Sequence, residues 1–384
     1  MIPGASYNNT IGIRGFVRFR SGIKKIIERI KRFRRVRYKD KLYLSLIQQT
    51  TQLEREDAKS LKTNEILTAA QHQSIDDFFS KFVRIRHNSH LFYTAKTGKF
   101  QTNYIPDSLW GNYIDTYYND WNRAFYIDNK CYYPRMFAGV KQPRMIAYRL
   151  NGFWYDQDSR IVELEKAVGF IMESTECFIK KAENSWGGLG VFFFKPSEHT
   201  VDDLLAILNK IPVDLVVQSS IKQSVTLATI NNDCVNTVRL LSLLKRDGSV
   251  KIYSCILRMG IKGAKVDNAS SGGISVGIRE DGSLKSIAYS NTGIKYQEHP
   301  STHVRFDDFS IPNFQQMKEI VARLHPQLPH FRLIGWDMAC DENDEPVLIE
   351  ANLCDSELDF HQLNNGPIFG DDTEAVLSEV FHKK

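Results

Sequence analysis

Two stretches near the C-terminus carry the residue types with the most demanding chemistry. Leu333-Ile-Gly-Trp-Asp-Met-Ala-Cys340 and Pro346-Val-Leu-Ile-Glu-Ala-Asn352 are apolar runs that each hold one acid, and Asp341-Glu-Asn-Asp-Glu345 joins them. With Asn343-Asp344 as a two-residue turn, Asp337 lies directly opposite Glu350. Asn352, two residues further on, shares that face within about 7 Å. Like charges facing each other across a sheet repel unless something neutralises them. A hard divalent cation does so, and Mg²⁺ accepts Asp, Glu and amide oxygens alongside nucleotide phosphates. The competing arrangement turns one carboxylate to solvent or pairs it with Arg239 or Arg258, and it does not explain why both strands are otherwise apolar.

A second candidate is the run Phe178-Ile-Lys-Lys-Ala-Glu-Asn-Ser-Trp-Gly-Gly-Leu-Gly-Val191, a strand with consecutive lysines leading through a glycine-rich turn into a very apolar strand. Glycines let backbone N–H groups turn inward on phosphate oxygens, and a neighbouring lysine adds fixed positive charge. The run is not a Walker A loop, because G-x-x-x-x-G-K-[ST] is missing and β-type residues follow it. An ordinary β-hairpin would use Gly187, Gly188 and Gly190 equally well.

The elements that must position these residues are legible. Strands are expected at Cys177–Lys181, Val191–Lys195, Asp214–Gln218, Asn236–Leu244, Lys251–Arg258, Gly273–Ile278, Leu284–Tyr289, Arg332–Cys340 and Pro346–Ala351. Helices are expected at Ile161–Glu173, Val201–Lys210 and Pro312–His325, the last with Pro in its first turn. Turns at Asp247-Gly248 and Asp281-Gly282 indicate antiparallel pairing, so the class is α+β. Residues 42–127 read as a lead-in domain, helical from Leu42 to Phe82 and then aromatic and irregular through Tyr104, Trp110, Tyr113, Tyr117, Tyr118 and Trp121.

At 384 residues the chain is long enough for two or three packed units. Hydrophobic residues make up 42% and charged residues 25%, which excludes a collagenous, disordered or disulfide-scaffold chain. Six cysteines are scattered singly, without zinc spacing, and read as reduced cytosolic thiols. No apolar run approaches the roughly 20 residues of a membrane span, and no secretory h-region opens the sequence.

The net charge of +5 is uneven: residues 11–41 hold 13 Lys/Arg against Glu28 and Asp40, which leaves −6 for the remainder. A basic segment on a mildly acidic body is not the pattern of a nucleic-acid-coated protein, and no nucleic-acid partner is expected. Within it, Phe16, Phe19, Ile23, Ile26, Ile30 and Phe33 fall on one side of a helix whose back is cationic. Such a helix suits an anionic membrane surface. Packing on the body or on a second subunit fits the same stripe equally well, and RNA ranks third.

Taken in order, Phe178–Val191, Val216–Gln223, Asn236–Leu240, Leu257–Gly260 with Val266–Gly273, His299-Pro300, Ile334–Ala339 and Leu348–Asn352 resemble the ATP-grasp superfamily, in its sugar-transfer-associated branch found among polysaccharide-biosynthesis proteins. The resemblance spans roughly residues 128–355. It implies two α+β lobes clasping ATP, with a first lobe at 128–220 and a C-terminal lobe at 221–384, preceded by the basic segment 1–41 and the lead-in 42–127.

By position, the resemblance implies that Lys130 and Lys180 contact phosphates, with Ser185, Gly187 and Gly188 covering them. Position 181 is Lys where the family usually has Pro. Gln218, Ser219 and Ile221 match the hinge that reads adenine, and Gln223 the ribose position; many relatives have Glu at 218. Arg239, Arg258 and Asn268 match catalytic positions that stabilise transferred phosphate, with Gly272 and Gly273 in the substrate loop. Asp337, Glu350 and Asn352 match the magnesium ligands, in agreement with the hairpin argument. His299 is either on the substrate side or a structural loop histidine.

The implied activity is ATP- and Mg²⁺-dependent carboxylate-amine ligation through an acyl phosphate. The expected partners are an acidic sugar or glycan and an amino acid or small amine, at the cytoplasmic face of a membrane. The alternatives are a phosphotransferase on the same fold and a non-catalytic nucleotide-binding module recruited to a membrane. An oligomer is compatible with all three.

Overall fold

The computed structural model describes residues 67–182, 191–261, 263, 272–354 and 356–381. The basic segment 11–41, the glycine turn with Ser185, Gly187 and Gly188, and Asn268 lie outside the described residues.

Two antiparallel sheets organise the chain. The first contains β1 (Met145–Leu150), β2 (Phe153–Asp156), β3 (Ile161–Val162), β4 (Cys177–Lys181), β5 (Val191–Phe194) and β6 (Leu215–Ser219), in the order β3-β2-β1-β6-β4-β5. One face packs Ile146, Ile179 and Val217 against Leu204 and Leu208 of helix Val201–Lys210 and Ile171 of helix Leu164–Met172. Helix Val201–Lys210 starts where Thr200 and Asp203 cap each other's backbone N–H groups. Across the other face Tyr148, Val216 and Lys180 stand side by side on β1, β6 and β4.

The second sheet contains β7 (Thr237–Leu244), β8 (Val250–Met259), β9 (Ile274–Ile278), β10 (Leu284–Ser290), β11 (Lys295–Tyr296), β12 (Leu333–Cys340) and β13 (Pro346–Asn352), in the order β11-β10-β9-β8-β7-β12-β13. Every residue of β7 and β12 is buried, because both faces are covered. On one face Leu240, Leu257 and Trp336 pack on Met317 and Val321 of helix Phe314–Leu324. On the other, Leu241, Leu243 and Leu333 share a core with Phe79, Phe92 and Trp110 from upstream helices and with Leu377 of helix Thr373–Phe381. The upstream helices are therefore built onto the second sheet.

All nine expected strands form with ends within one residue, and the two Asp-Gly turns are hairpins with Gly248 and Gly282 at φ of 85° and 90°. Four strands were not expected: β1, β2, β3 and β11. The first two are joined by Asn151-Gly152, both at positive φ, a type I′ signature present in the sequence.

Three expectations need correction. Helix 161–173 begins later, at Leu164, because Ile161–Val162 pairs with Trp154 and Tyr155 as a strand. Helix Phe314–Leu324 begins after Asn313, whose φ of 49° leaves Pro312 outside the first turn. The aromatic segment is not irregular: residues 107–118 form one continuous helical run, with Trp110, Ile114 and Tyr118 buried at a spacing of four.

Candidate functional site

The face of the second sheet that is apolar at Leu243 and Leu241 turns polar one step further along β7, at Arg239. Asp337 on β12 lies between Arg239 on β7 and Glu350 on β13, each directly across from it. Arg239 Nε and Nη2 donate to Asp337 Oδ1 and Oδ2 at 2.6 Å each, the two-pronged geometry a guanidinium and a carboxylate share. Arg258 Nη1 reaches Asp337 Oδ2 at 3.4 Å, and Arg239 Nη1 reaches Glu357 Oε2 at 3.3 Å. Burial alone would raise the Asp337 carboxyl, but the charge and hydrogen bonds of Arg239, with Arg258, outweigh it and hold the group below its usual range.

The opposition of Asp337 and Glu350 is as expected, but its cause differs. The hairpin tip is not the two-residue turn Asn343-Asp344. Asp341 pairs with Glu345 (N to O, 3.0 Å) around a three-residue loop that ends at Asp344 with φ 62°. That loop pairs Cys340, Ala339 and Met338 with Pro346, Val347 and Leu348; β13 then bulges at Ile349, and Asp337 meets Glu350. The bulge restores the register that the longer loop had shifted.

Glu350 accepts from Lys130 Nζ at 2.6 Å. Lys130 sits in the 3₁₀ turn Lys130–Tyr132, where Asn129 Oδ1 accepts from Cys131 N and Lys130 N donates to Ala182 O at 2.8 Å, tying the turn to the end of β4. Its side chain is 2% exposed. Burial disfavours its charge, but Glu350 and Asp128 overcome this and raise its pKa.

Of the two consecutive lysines, Lys180 is the one that feels this corner. Burial and the charge of Lys130 lower its pKa to about 8, against a partial opposing pull from Glu350. Its ammonium has no hydrogen-bond partner among the described residues. Lys130, Lys180, Arg239 and Arg258 thus bring four cations to Asp337, Glu350 and Glu357.

Asn352 Nδ2 donates to Gly335 O (3.0 Å) and approaches Asp337 Oδ2 (3.4 Å). Its Oδ1 is uncommitted among the described residues. Two carboxylates and an amide oxygen on one face form a hard-oxygen donor set that fits Mg²⁺, provided Lys130 and Arg239 yield part of their contacts.

Gly335 lets the chain fold back over this face: a Cβ there would stand 3.1 Å from Ser356 Oγ, and Trp110 Nε1 fixes the same segment by donating to Ser356 O at 2.7 Å. The return brings Glu357 to Arg239 and His361 to Ser254 on β8. Neither was predicted, because acids and amides in a stretch without periodicity read as a solvated loop.

Gln218 and Ser219 end β6, with Gln218 buried between Met145 and Phe178, and Ile221 follows half-buried. Both ends of the Gln223 amide serve the protein: Nε2 donates to Asn231 O and Cys234 O at 2.9 Å, and Oε1 accepts from Asn236. His299 is fully buried, with Nε2 on Gly260 O at 2.9 Å and Nδ1 facing Thr302. Gly272 turns at φ 87° into the buried Gly273 that leads β9.

The model of the sugar-transfer associated ATP-grasp family matches residues 111–376, more than half of the chain, and the chain belongs to that family. No curated protein matches the sequence. Solved structures with a similar fold include an ADP complex of N5-carboxyaminoimidazole ribonucleotide synthetase (12% identity, TM-score 0.37, covering 60% of this chain and 45% of that one). The VanG D-Ala:D-Ser ligase from Enterococcus faecalis is another (12%, 0.39, 66% and 61%). A third is the ATP-grasp ligase PsnB with a phosphomimetic variant of its minimal precursor, Mg and ADP (13%, 0.41, 68% and 61%). The chain spans less than two thirds of the length of each of these three. Among the described residues, no helix is long and apolar enough to cross a membrane.

Proposed function

We propose that the chain is an ATP- and Mg²⁺-dependent carboxylate-amine ligase. A carboxylate oxygen attacks the γ-phosphorus, ADP leaves, and the amine displaces phosphate from the acyl phosphate and gives up a proton. The observation that carries this reading is the convergence of four cations, from both sheets and the turn before them, on a pair of facing carboxylates. An array of this kind positions and neutralises a transferring phosphoryl group without a protein nucleophile.

In this reading Lys130 and Lys180 hold phosphate oxygens. Arg239, kept in orientation by Asp337 and Glu357, and Arg258 stabilise the transferred phosphoryl group, with Asn268 beside them. Asp337, Glu350 and Asn352 would hold magnesium, which supplies charge neutralisation at the phosphates when bound. Gln218, Ser219 and Ile221 line the adenine edge.

The family's association with sugar transfer supports an acidic sugar or glycan as the carboxylate and an amino acid or small amine as its partner. The basic pattern of residues 11–41 supports an anionic membrane surface as the place of reaction. ADP release is the test, measured with uronic-acid glycans and amino acids. Amine-dependent turnover with an amide product is expected, whereas a phosphorylated product formed without any amine would make the protein a phosphotransferase. Sedimentation with anionic liposomes tests the surface: equal binding by the full chain and a chain starting at Leu42 would sink it.

A further inference from the structure

Helix Asp359–Asn365 lies over β8 and carries an uncommon density of buried polar groups: His361, Gln362 and Asn364. The hydrogen bonds around Ser254 select one tautomer of His361. Lys285 Nζ donates to Asn365 Oδ1 at 2.7 Å, which sets the orientation of that amide. Asn365 Nδ2 then donates to Cys255 O at 3.0 Å and to Ser254 Oγ at 2.8 Å. Ser254 has one proton to give, and among the described residues its remaining partner is His361 Nδ1, 2.7 Å away. Giving that proton to His361 Nδ1 satisfies both atoms and puts the ring's own proton on Nε2.

That Nε2–H is buried and has no hydrogen-bond partner among the described residues, in a residue with 0% exposure. Its charged neighbours are Arg239, Arg258 and Asp337. Burial, then the two guanidiniums, push its pKa down to about 3, which favours the neutral ring near neutral pH. Buried donors are almost always satisfied, and one left open beside two arginines points to a ligand oxygen.

We propose that His361 Nε2–H is a neutral hydrogen-bond donor for an oxyanion that enters beside Arg239 and Arg258. The oxyanion is either the carboxylate of the acid substrate or an oxygen of the phosphoryl group it receives. The assignment rests on the ligase reading and deepens it, by placing acid recognition over β8. A neutral donor adds direction without a third positive charge, so it selects an oxyanion by geometry where the arginines select by charge.

The test uses the full chain with ¹⁵N-labelled histidine, saturated with MgADP, and titrated separately with sodium glucuronate and sodium phosphate. The expected spectrum has one histidine, lost in His361→Gln, as the Nε2–H tautomer, and its Nε2–H signal moves with one of the two anions. A response to glucuronate identifies the carboxylate as its partner, and a response to phosphate identifies the phosphoryl group.

His361→Phe should lower affinity for that anion about tenfold, and His361→Gln, which restores an N–H, should stay within about threefold of wild type. An Nδ1–H tautomer, or a signal unmoved by both anions while MgADP binds, overturns the assignment and leaves the ligase reading standing. Absence of MgADP binding by the folded wild type overturns both. Because the spectrum is read on the wild type, the test holds even if the phenylalanine variant does not fold.

Discussion

The two halves of the site are built differently. Around Asp337 the charges are closed on one another: a two-pronged Arg239 contact, Arg258 behind it, and neighbours from three adjacent strands of one sheet. Around Glu350 they are open. Its side chain is 25% exposed, its partner Lys130 comes from a turn outside the second sheet, and Lys180 reaches the corner from the first sheet. A closed set of charges holds a sheet end in register, whereas an open one, assembled from separate elements, can exchange partners with an incoming phosphate. The same cluster thus divides into a pre-organised half, whose arginines are oriented before a ligand arrives, and a working half that can rearrange around one.

The largest effect that would break this division comes from Asp337→Ala. It removes the carboxylate that two buried guanidiniums share and should cost about 3–5 kcal/mol, read by urea unfolding. Glu350→Gln should cost about 1–2 kcal/mol, less than half as much, because the amide oxygen can still accept from Lys130 and Asp128 remains a charge partner of that lysine. It should nevertheless abolish magnesium-dependent nucleotide turnover. Equal stability losses in the two variants would contradict the distinction.

A smaller effect sharpens it. Lys180 has its pKa lowered to about 8 in the ligand-free protein, and phosphate contact would raise it again. Nucleotide binding should therefore take up a proton when measured near pH 8 to 9. Affinity is full below pH 8 and falls by up to about tenfold per unit as pH rises above it, until the bound-state pKa is passed. Lys180→Arg, which stays charged throughout, should flatten this profile; an unchanged slope in the variant would assign the titration elsewhere.

The smallest effect lies far from both halves. Thr200→Ala removes one helix cap and should cost about 1 kcal/mol without altering nucleotide affinity. A change in affinity would show that the working half depends on the first sheet's outer helix.

How much of this was legible follows the same division. Strands such as Thr237–Leu244 and Leu333–Cys340 are apolar throughout because both faces are covered, and such runs stand out in a sequence. The Asp337 and Glu350 opposition was also readable, although the loop was one residue longer than expected and the bulge at Ile349 compensated. Lys130 and Lys180 were identified through family resemblance, since no local pattern links a turn lysine to a strand lysine 50 positions away.

Glu357 and His361 escaped notice. Their burial depends on Gly335 admitting the return segment, a tertiary event that no local spacing announces. The upstream aromatic helix was missed for a similar reason. Trp110, Ile114 and Tyr118 form its buried stripe, but so many flanking aromatics are present that the spacing is masked.

The central claim is that the open half binds a nucleotide with magnesium. Isothermal titration of ATP with and without Mg²⁺ into wild type and Glu350→Gln tests it without any knowledge of the acid or the amine. Magnesium-dependent binding by the wild type, lost in a folded Glu350→Gln variant, is the predicted result. Absence of nucleotide binding by the folded wild type, or equal binding by both proteins, would contradict the account.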